Sequence, residues 1–335
     1  MLVGEAAHIY SASRNGPRGQ GNLTSQQLCS PQNGIWFCRV HSKIPDLNNG
    51  RDYPPSTLHS YKALHESRVA RELGEVTCPF GWLQELTMRA SAFVRTPIEI
   101  HFTKATIFLG ENASGKTTAA HYLASALSPD ALGKVMLPEF LDSRHEYELV
   151  YHFPDRHRLA VSISNGQLDY QFDGRQVPFN PLPFKVLMLP AAPHFGGRVS
   201  HLAEVFGLPA GVVRQALDHL SIERPDSFEA VRVVDSDLIE VYREGNFLPS
   251  KYLSGGGRKM FMLECAIALA TFFANHLPTL LILDDGLHRL DQERRAEYLQ
   301  RLNDPAFQFQ TILIDASGRK DEACGGWPYV HFGGE

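Results

Sequence analysis

The residues best suited to chemistry in this 335-residue sequence form a glycine-rich segment that ends in a lysine and two threonines. The apolar run 106–109 before the segment predicts a strand, and residues 118–127 after it predict a helix. A strand, a glycine-rich turn and a helix together aim backbone N–H groups and a positive helix end at an anion. The predicted polyphosphate site consists of Gly110, Glu111, Asn112, Ala113, Ser114, Gly115, Lys116, Thr117 and Thr118.

The two side chains that close this segment have separate tasks. Lys116 is placed to reach the β- and γ-phosphates of a nucleoside triphosphate, and the Thr117 hydroxyl is placed to ligate Mg²⁺. ATP and Mg²⁺ are therefore the expected cofactors.

Two later segments carry related chemistry. Ser254, Gly255 and Gly256 stand at the start of the largely apolar stretch 259–274, where bare amides and a helix dipole would again complement an anion. The apolar run that begins at Thr279 ends in two adjacent acids, Asp284 and Asp285, and Asp291 follows. Such a run predicts a buried central strand whose carboxyl end faces the ligand.

The order of these segments resembles the phosphate loop, LSGGQ signature, Walker B strand and D-loop of ABC-type ATPases over residues 82–318. The resemblance implies an α/β fold: a P-loop ABC-type ATPase domain with a mixed sheet and a helical subdomain. It also implies that Asp284 holds the Mg²⁺ hydration shell and that Asp285 stands where a glutamate usually orients the attacking water. Ser254, Gly255, Gly256 and Asp291 would act at the nucleotide of an opposite subunit, which implies a homodimer or larger assembly.

The layout also narrows the branch of the family. No heptad run long enough for a coiled coil separates Lys116 from Ser254, which argues against the long-armed SMC branch. The layout resembles most the compact ABC-type ATPases of prokaryotic defence operons, including the Septu type.

Three departures from the family pattern predict slow hydrolysis. Asp285 is one methylene shorter than the usual glutamate, and a displacement of about 1 Å at a water-positioning group can lower a rate roughly a hundredfold. Ala316 follows the apolar run 311–314, where the family has a switch histidine. No glutamine follows the run 184–189, where a Q-loop is expected.

The N-terminal segment carries a second resemblance, to HNH-type nucleases with a ββα-metal fold. By position, His8 would be the general base, Asn33 would fix the loop at the metal site, and Cys38 and His41, spaced C-x-x-H, would form half of a zinc site. A Zn²⁺ or second divalent ion is thus expected there. Ser42, however, stands where many members have a metal-ligating histidine, so the alternative of a degenerate, non-cleaving module stays open.

The length fits two domains. The two resemblances imply an HNH-like module over residues 1–76, whose completeness stays open, and an ABC-type ATPase domain over residues 77–335. The net charge of −5 gives no overall case for nucleic-acid binding, although a local basic face is compatible with DNA as a partner. The five cysteines are scattered and odd in number, which suits a reducing compartment. The longest apolar stretch is interrupted by Glu264, and no secretory signal is evident, so we expect a cytoplasmic location without a membrane.

These observations leave three hypotheses. The first is an ATP-gated nuclease in which a dimer of ABC-type domains positions the HNH-like modules on DNA, in anti-phage defence. The second is a slow or inactive ATPase that acts as a dimeric sensor or scaffold and recruits a separate nuclease. The third, a nucleotide-binding subunit of a transporter, is weaker because no Q-loop is evident and a nuclease-like segment is fused instead.

Overall fold

A computed structural model gives the structure of the chain. Contacts divide it into two units: the first is Met1–Gly81 with His152–Arg156 and Pro181–Pro183, and the second is the remainder. The structure describes residues 4–39, 41–55, 57–59, 61–62, 65–66, 82–94, 97–128, 131, 142–152, 155–181, 184–223, 229–235, 237–243, 245–287, 290–304, 306–315 and 327–333. The predicted domain boundary at 76/77 lies outside these residues.

The first unit is built on an antiparallel hairpin of β1 (Gly4–His8) and β2 (Gly34–Cys38). A short helix, α1 (Ser25–Leu28), and two 3₁₀ turns (Pro31–Asn33 and Ile44–Gly50) flank the hairpin. Thr24 caps α1 in a capping box with Gln27, so each side chain satisfies a backbone N–H group of the other residue. The small apolar core of this unit contains Ile9, Ile35 and Leu58.

The sheet that positions the predicted phosphate loop has five parallel strands in the order β10-β14-β15-β5-β16. Its central strands are buried almost throughout, which explains why they are near-continuous apolar runs in the sequence. Parallel strands bring their carboxyl ends to one edge. The strands are β5 (Ala105–Gly110), β10 (Lys185–Leu189), β14 (Thr279–Asp284), β15 (Gln310–Asp315) and β16 (Tyr329–Phe332).

Two further sheets complete the second unit. A six-stranded sheet has the order β4-β3-β6-β7-β8-β9, and a separate sheet of three antiparallel strands has the order β11-β12-β13. The strands of the larger sheet alternate buried and more exposed residues, as a sheet with one face on the core requires. The strands are β3 (Leu83–Ala90), β4 (Ile98–His101), β6 (His145–His152), β7 (Arg156–Ser164), β8 (Gln167–Phe172), β9 (Arg175–Val177), β11 (Ala230–Val234), β12 (Leu238–Arg243) and β13 (Asn246–Pro249).

Five helices of the second unit are described. The longest helix, α5 (Gly255–Ala274), packs on β10 and β14 of the parallel sheet. It is apolar on nearly every side and is correspondingly buried along most of its length. The helices are α2 (Lys116–Leu127), α3 (Val199–Phe206), α4 (Ala210–Glu223), α5 (Gly255–Ala274) and α6 (Gln292–Leu302).

The elements predicted from periodicity are confirmed, but their grouping differs from the expected mixed sheet. The parallel and antiparallel strands form separate sheets, because β3 pairs with β4 and β6 rather than with β5. Gly207 ends α3 in the left-handed conformation, with φ +61°. Among the described residues, no helix combines the length and apolar character needed to cross a bilayer.

Candidate functional site

The glycine-rich segment joins the end of β5 to the start of α2. Gly115 is the N-cap residue of α2 and has φ +95°, a left-handed conformation that favours glycine. A Cβ atom at this position would lie 2.8 Å from the carbonyl oxygen of Phe93. The loop therefore packs against the segment around Phe93 more closely than any larger residue would allow, and its backbone stays accessible at the helix N-terminus.

Lys116 is folded back beneath this loop. Its Nζ donates hydrogen bonds to the carbonyl oxygens of Gly110 (2.8 Å) and Glu111 (2.7 Å) and to Ser114 Oγ (3.3 Å). Burial lowers the pKa of the Lys116 ammonium, and nearby carboxylates, Asp284 first among them, act in the opposite direction. The ammonium is thus held within the loop, where an arriving phosphate could replace its carbonyl partners.

Thr117 and Asp284 form the contact that joins the loop to β14. Thr117 Oγ1 donates to Asp284 Oδ2 at 3.1 Å. Burial raises the pKa of the Asp284 carboxyl and Asp285 adds to that effect, whereas the Thr117 hydrogen bond, Lys116 and Lys259 lower it. A hydroxyl and a carboxylate side by side are hard oxygen ligands of the kind that Mg²⁺ prefers.

These residues open into a cavity of about 480 Å³, within the range of ordinary ligand pockets. The cavity gathers most of the residues that the sequence predicts for the phosphate site and both acids of β14. Its lining consists of Phe93, Asn112, Ala113, Ser114, Gly115, Lys116, Thr117, Thr118, Ala191, Asp284, Asp285 and Ile314.

Sequence reasoning missed three residues of this lining, Phe93, Ala191 and Ile314. Ala191 follows β10, and the rule that ligands bind at the carboxyl ends of parallel strands could have indicated it. Phe93 comes from the connection between β3 and β4 and stacks on His145, with 5.5 Å between ring centroids. No local sequence signal identifies Phe93, because its place depends on the close approach of its carbonyl group to Gly115.

Asp285 lies directly after β14 in a left-handed conformation, with φ +53°. Its N–H donates to the carbonyl oxygen of Ile314 at 2.9 Å, and its own carbonyl oxygen accepts from Lys259 Nζ at 2.5 Å. This conformation is uncommon for residues other than glycine, although aspartate adopts it more readily than most, and these two hydrogen bonds help to hold it here. The residue with this uncommon backbone conformation is therefore the acid that, by the family resemblance, would orient the attacking water.

The residues that resemble the LSGGQ signature lie at the start of a different helix, α5. Ser254 caps α5, and its Oγ accepts from the N–H of Gly257 at 3.2 Å. Ser254, Gly255 and Gly256 are exposed, and they are not part of the described lining of the cavity. Asp291 likewise caps α6 and accepts from Arg294 N at 2.9 Å. One chain therefore does not bring these four residues to its own phosphate loop.

The strand end next to the two acids holds a buried ion pair. Asp315, the last residue of β15, is buried and pairs with Arg295 of α6. Ala316, where the family pattern expects the switch histidine, lies outside the described residues. Ala191 is the residue that the segment after β10 contributes to the cavity.

In the first unit, Asn33 holds the turn that follows His8. Asn33 Oδ1 accepts from Tyr10 N at 2.7 Å, and Asn33 Nδ2 donates to the carbonyl oxygens of Tyr10 (2.9 Å) and Leu28 (3.0 Å). Asn33 is buried, whereas His8 at the end of β1 is exposed. The side-chain amide of Asn33 thus fixes backbone, and it presents His8 on a defined turn.

Cys38 and His41 are in contact, with 3.0 Å between Cys38 Sγ and His41 Nδ1, and both are exposed. The hairpin pairs His8 with Gly34 and Gly4 with Cys38, so His8 and Cys38 lie at opposite ends, roughly 14 Å apart at 3.4 Å per residue. They cannot ligate one ion. Within the described part of the chain, no group of three or more histidine, cysteine or acidic side chains is arranged to hold a metal.

Comparison with known proteins gives the fold. The sequence matches no protein-family model and no curated protein. An Smc head bound to the C-winged helix domain of ScpA is similar, with TM-score 0.54 and 12% identity over 75% of this chain and 93% of that one. A Pyrococcus furiosus Smc head with an extended coiled coil gives 0.52 and 10% over 76% and 93%. The recombination mediator RecF with ATP gives 0.50 and 11% over 73% and 95%. The chain therefore has the fold of an ABC-type ATPase head.

Replacement of Gly115 by alanine tests how tightly the loop is packed. Gly115 and Gly166 both have positive φ, but a Cβ at Gly166 meets nothing within 4 Å. We expect Gly166→Ala to lower the free energy of unfolding by roughly 1–2 kcal/mol of backbone strain. Gly115→Ala should lower it further, because the loop must also move away from Phe93. Equal losses for the two variants in urea unfolding would contradict this packing.

The raised pKa of Asp284 predicts a pH-dependent stability. The folded protein disfavours the ionised carboxylate, so Asp284→Asn should stabilise the nucleotide-free protein at pH 7. That gain should shrink as the pH falls through the raised folded pKa towards the ordinary value of 3.8, where the carboxyl is increasingly protonated in both states. Urea unfolding at several pH values measures the effect. The exposed helix cap Asp291→Asn is the control, and a gain that grows on acidification would exclude the argument.

Proposed function

We propose that the chain binds ATP with Mg²⁺ in the cavity at the carboxyl edge of the parallel sheet. The observation that carries this proposal is the contact of Thr117 Oγ1 with Asp284 Oδ2, beside an ammonium that is enclosed by the phosphate loop. The loop N–H groups and Lys116 would bind the β- and γ-phosphates. Thr117 and Asp284 would hold the magnesium ion, which would neutralise part of the negative charge of the phosphates.

We further propose that the bound ATP is hydrolysed slowly. Asp285 lines the cavity and is the acid placed to orient a water molecule. Its side chain is shorter than a glutamate, and small displacements of a water-positioning group lower a rate strongly. We therefore expect a turnover below about one per second, compared with a median near ten per second for enzymes in general.

A dimer follows from where the signature residues lie. Because Ser254, Gly255, Gly256 and Asp291 are exposed at helix starts outside the cavity, we propose that they face the ATP bound by a second copy. An N-terminal helix turn with bare glycine amides suits a γ-phosphate from a neighbouring subunit. Such an arrangement gives a homodimer, or a larger assembly, that ATP holds together.

For the N-terminal unit we propose an HNH-like module that cleaves DNA under control of the ATPase, in prokaryotic anti-phage defence. His8 would act as the general base on the turn that Asn33 fixes. A divalent ion would stabilise the developing charge, and Cys38 and His41, which are in contact, would supply two of the four ligands of a zinc site.

One observation favours the alternative of an ATP-dependent sensor or scaffold whose nuclease is a separate chain. Ser42 stands at the position of the family's metal-ligating histidine, and its hydroxyl donates to Glu5 Oε2 at 2.9 Å. A serine is a poor substitute for an imidazole ligand. In this alternative the module would bind DNA or a partner without cleaving it.

The ATP site is tested with Lys116→Ala beside Lys185→Ala. Lys185 starts β10 at the opposite edge of the same sheet, so its loss controls for charge and folding. Lys116→Ala should weaken MgATP binding about 10- to 100-fold, because a hydrogen bond to a charged group contributes about 1.5–3 kcal/mol. Isothermal titration calorimetry measures the affinity.

The same samples report turnover and assembly. MgATP should raise the mass of the wild-type protein in light scattering to at least that of a dimer, and phosphate release should stay below about one per second. A monomer at saturating MgATP would contradict the dimer, and fast turnover would contradict the role given to Asp285. Lack of ATP binding by the wild type would refute the proposed function.

The nuclease proposal is tested by plasmid cleavage with Mg²⁺ or Mn²⁺, with and without ATP. The wild type should nick or linearise the plasmid and His8→Ala should not, because the general base would be lost. His101→Ala, which removes an exposed histidine of β4, is the matched control. Cleavage that survives in His8→Ala would exclude His8 as the base. If the wild type cleaves nothing under any condition, the scaffold alternative is favoured.

A further inference from the structure

The first turns of α5 are connected to the acids of β14 in the same chain. Lys259 lies five residues after Ser254, and its Nζ donates to the Asp285 carbonyl oxygen at 2.5 Å. The ammonium group of Lys259, a residue of α5, thus lies beside the acids at the edge of the subunit's own cavity.

The contact is made to a peptide group with little freedom. Asp285 has φ +53°, and its N–H is held by Ile314 of the neighbouring strand. Lys259 holds its carbonyl group, so one hydrogen bond from β15 and one from α5 restrain the two sides of this residue. The direction of the Asp285 side chain follows from this backbone conformation, which the two hydrogen bonds help to hold.

The other end of the connection is rigid as well. Ser254 and Lys259 belong to the cap and first turns of one 20-residue helix, and five residues of helix rise about 7.5 Å. The Ser254 hydroxyl closes the N-terminus through its hydrogen bond with Gly257 N. A displacement of this helix start therefore carries the stem of Lys259 with it.

We propose that Lys259 is a positioning residue that couples the phosphate-binding start of α5 to the placement of Asp285 in the same subunit. The inference rests on the proposed function, in which Ser254 meets the γ-phosphate of ATP bound by a second copy. When that phosphate fixes the start of α5, Lys259 fixes the peptide of Asp285. ATP bound in one site of the dimer thereby orients Asp285 in the other site, so that hydrolysis in the two sites is coupled.

The test compares Lys259→Met with Arg258→Met. Both remove one cation from the same helix turn, but Arg258 Nη2 donates to the Lys251 carbonyl oxygen and not to Asp285. Lys259→Met should lower the turnover number about 10- to 100-fold, as expected for a water-orienting group displaced by about 1 Å. The dissociation constant of MgATP should change less than about threefold, and Arg258→Met should leave both quantities near wild type.

A double-mutant cycle with Ser254→Ala separates coupling from independent local effects. If Lys259 transmits the state of Ser254, the loss of turnover in the double variant is smaller than the product of the two single losses. A merely structural lysine would give multiplicative losses. Multiplicative losses, or equal turnover of Lys259→Met and Arg258→Met, would overturn the inference while leaving ATP binding, and so the proposed function, intact.

Hydrogen–deuterium exchange gives a readout that does not need turnover. Peptides covering residues 283–287 should exchange faster in Lys259→Met than in Arg258→Met, because the peptide of Asp285 loses one of its restraints. MgATP should slow the exchange of these peptides in the wild type and less so in Lys259→Met. Equal exchange in the two variants would overturn the inference even for a protein that hydrolyses nothing.

Discussion

The contact of Thr117 with Asp284 is the interaction on which the site depends. β15 lies between β5 and β14, so the two strands are two strand spacings apart, about 9.6 Å. The loop after β5 and the start of α2 must cross over β15 before a hydroxyl can meet a carboxylate at 3.1 Å. That crossing works only if all three strands end at one level, and the parallel register secures this by pairing Asp284 with Ile314 and Asp315 with Leu109.

Charge balance is the second constraint at this edge. Asp284, Asp285 and Asp315 follow one another across two strand ends, and all three favour the charged form of Lys116. Arg295 pairs with Asp315, and Lys259 reaches Asp285, so cations from α6 and α5 offset part of the negative charge. Burial still raises the pKa of Asp284. A divalent ion at Thr117 and Asp284 would offset the cost of burying the ionised Asp284 carboxylate. The nucleotide-free site therefore favours binding of such an ion electrostatically.

Local pattern was enough to predict the site residues that lie next to each other in sequence. The glycine-rich turn between an apolar run and a helix located the loop, and the apolar run before Asp284 located β14, because buried parallel strands have continuous apolar sequences. Pairing between distant strands was not predictable in this way, which is why one mixed sheet was expected where the second unit has three separate sheets. Phe93 and Lys259 were missed for the same reason. Both reach the site through contacts distant in sequence, with Gly115 and Asp285.

In the N-terminal unit, side chains that each make several hydrogen bonds provide stability that a larger apolar core provides in bigger domains. Its buried aliphatic core is small, and a unit of this size buries too little apolar surface to be very stable by that means alone. Arg18 adds hydrogen bonds to the carbonyl oxygens of Ile9 and Pro45 and an ion pair with Asp46. Together with Asn33, it fixes the turn after His8 from two sides. His8 is therefore presented on a backbone that side-chain hydrogen bonds from Arg18 and Asn33 hold in place.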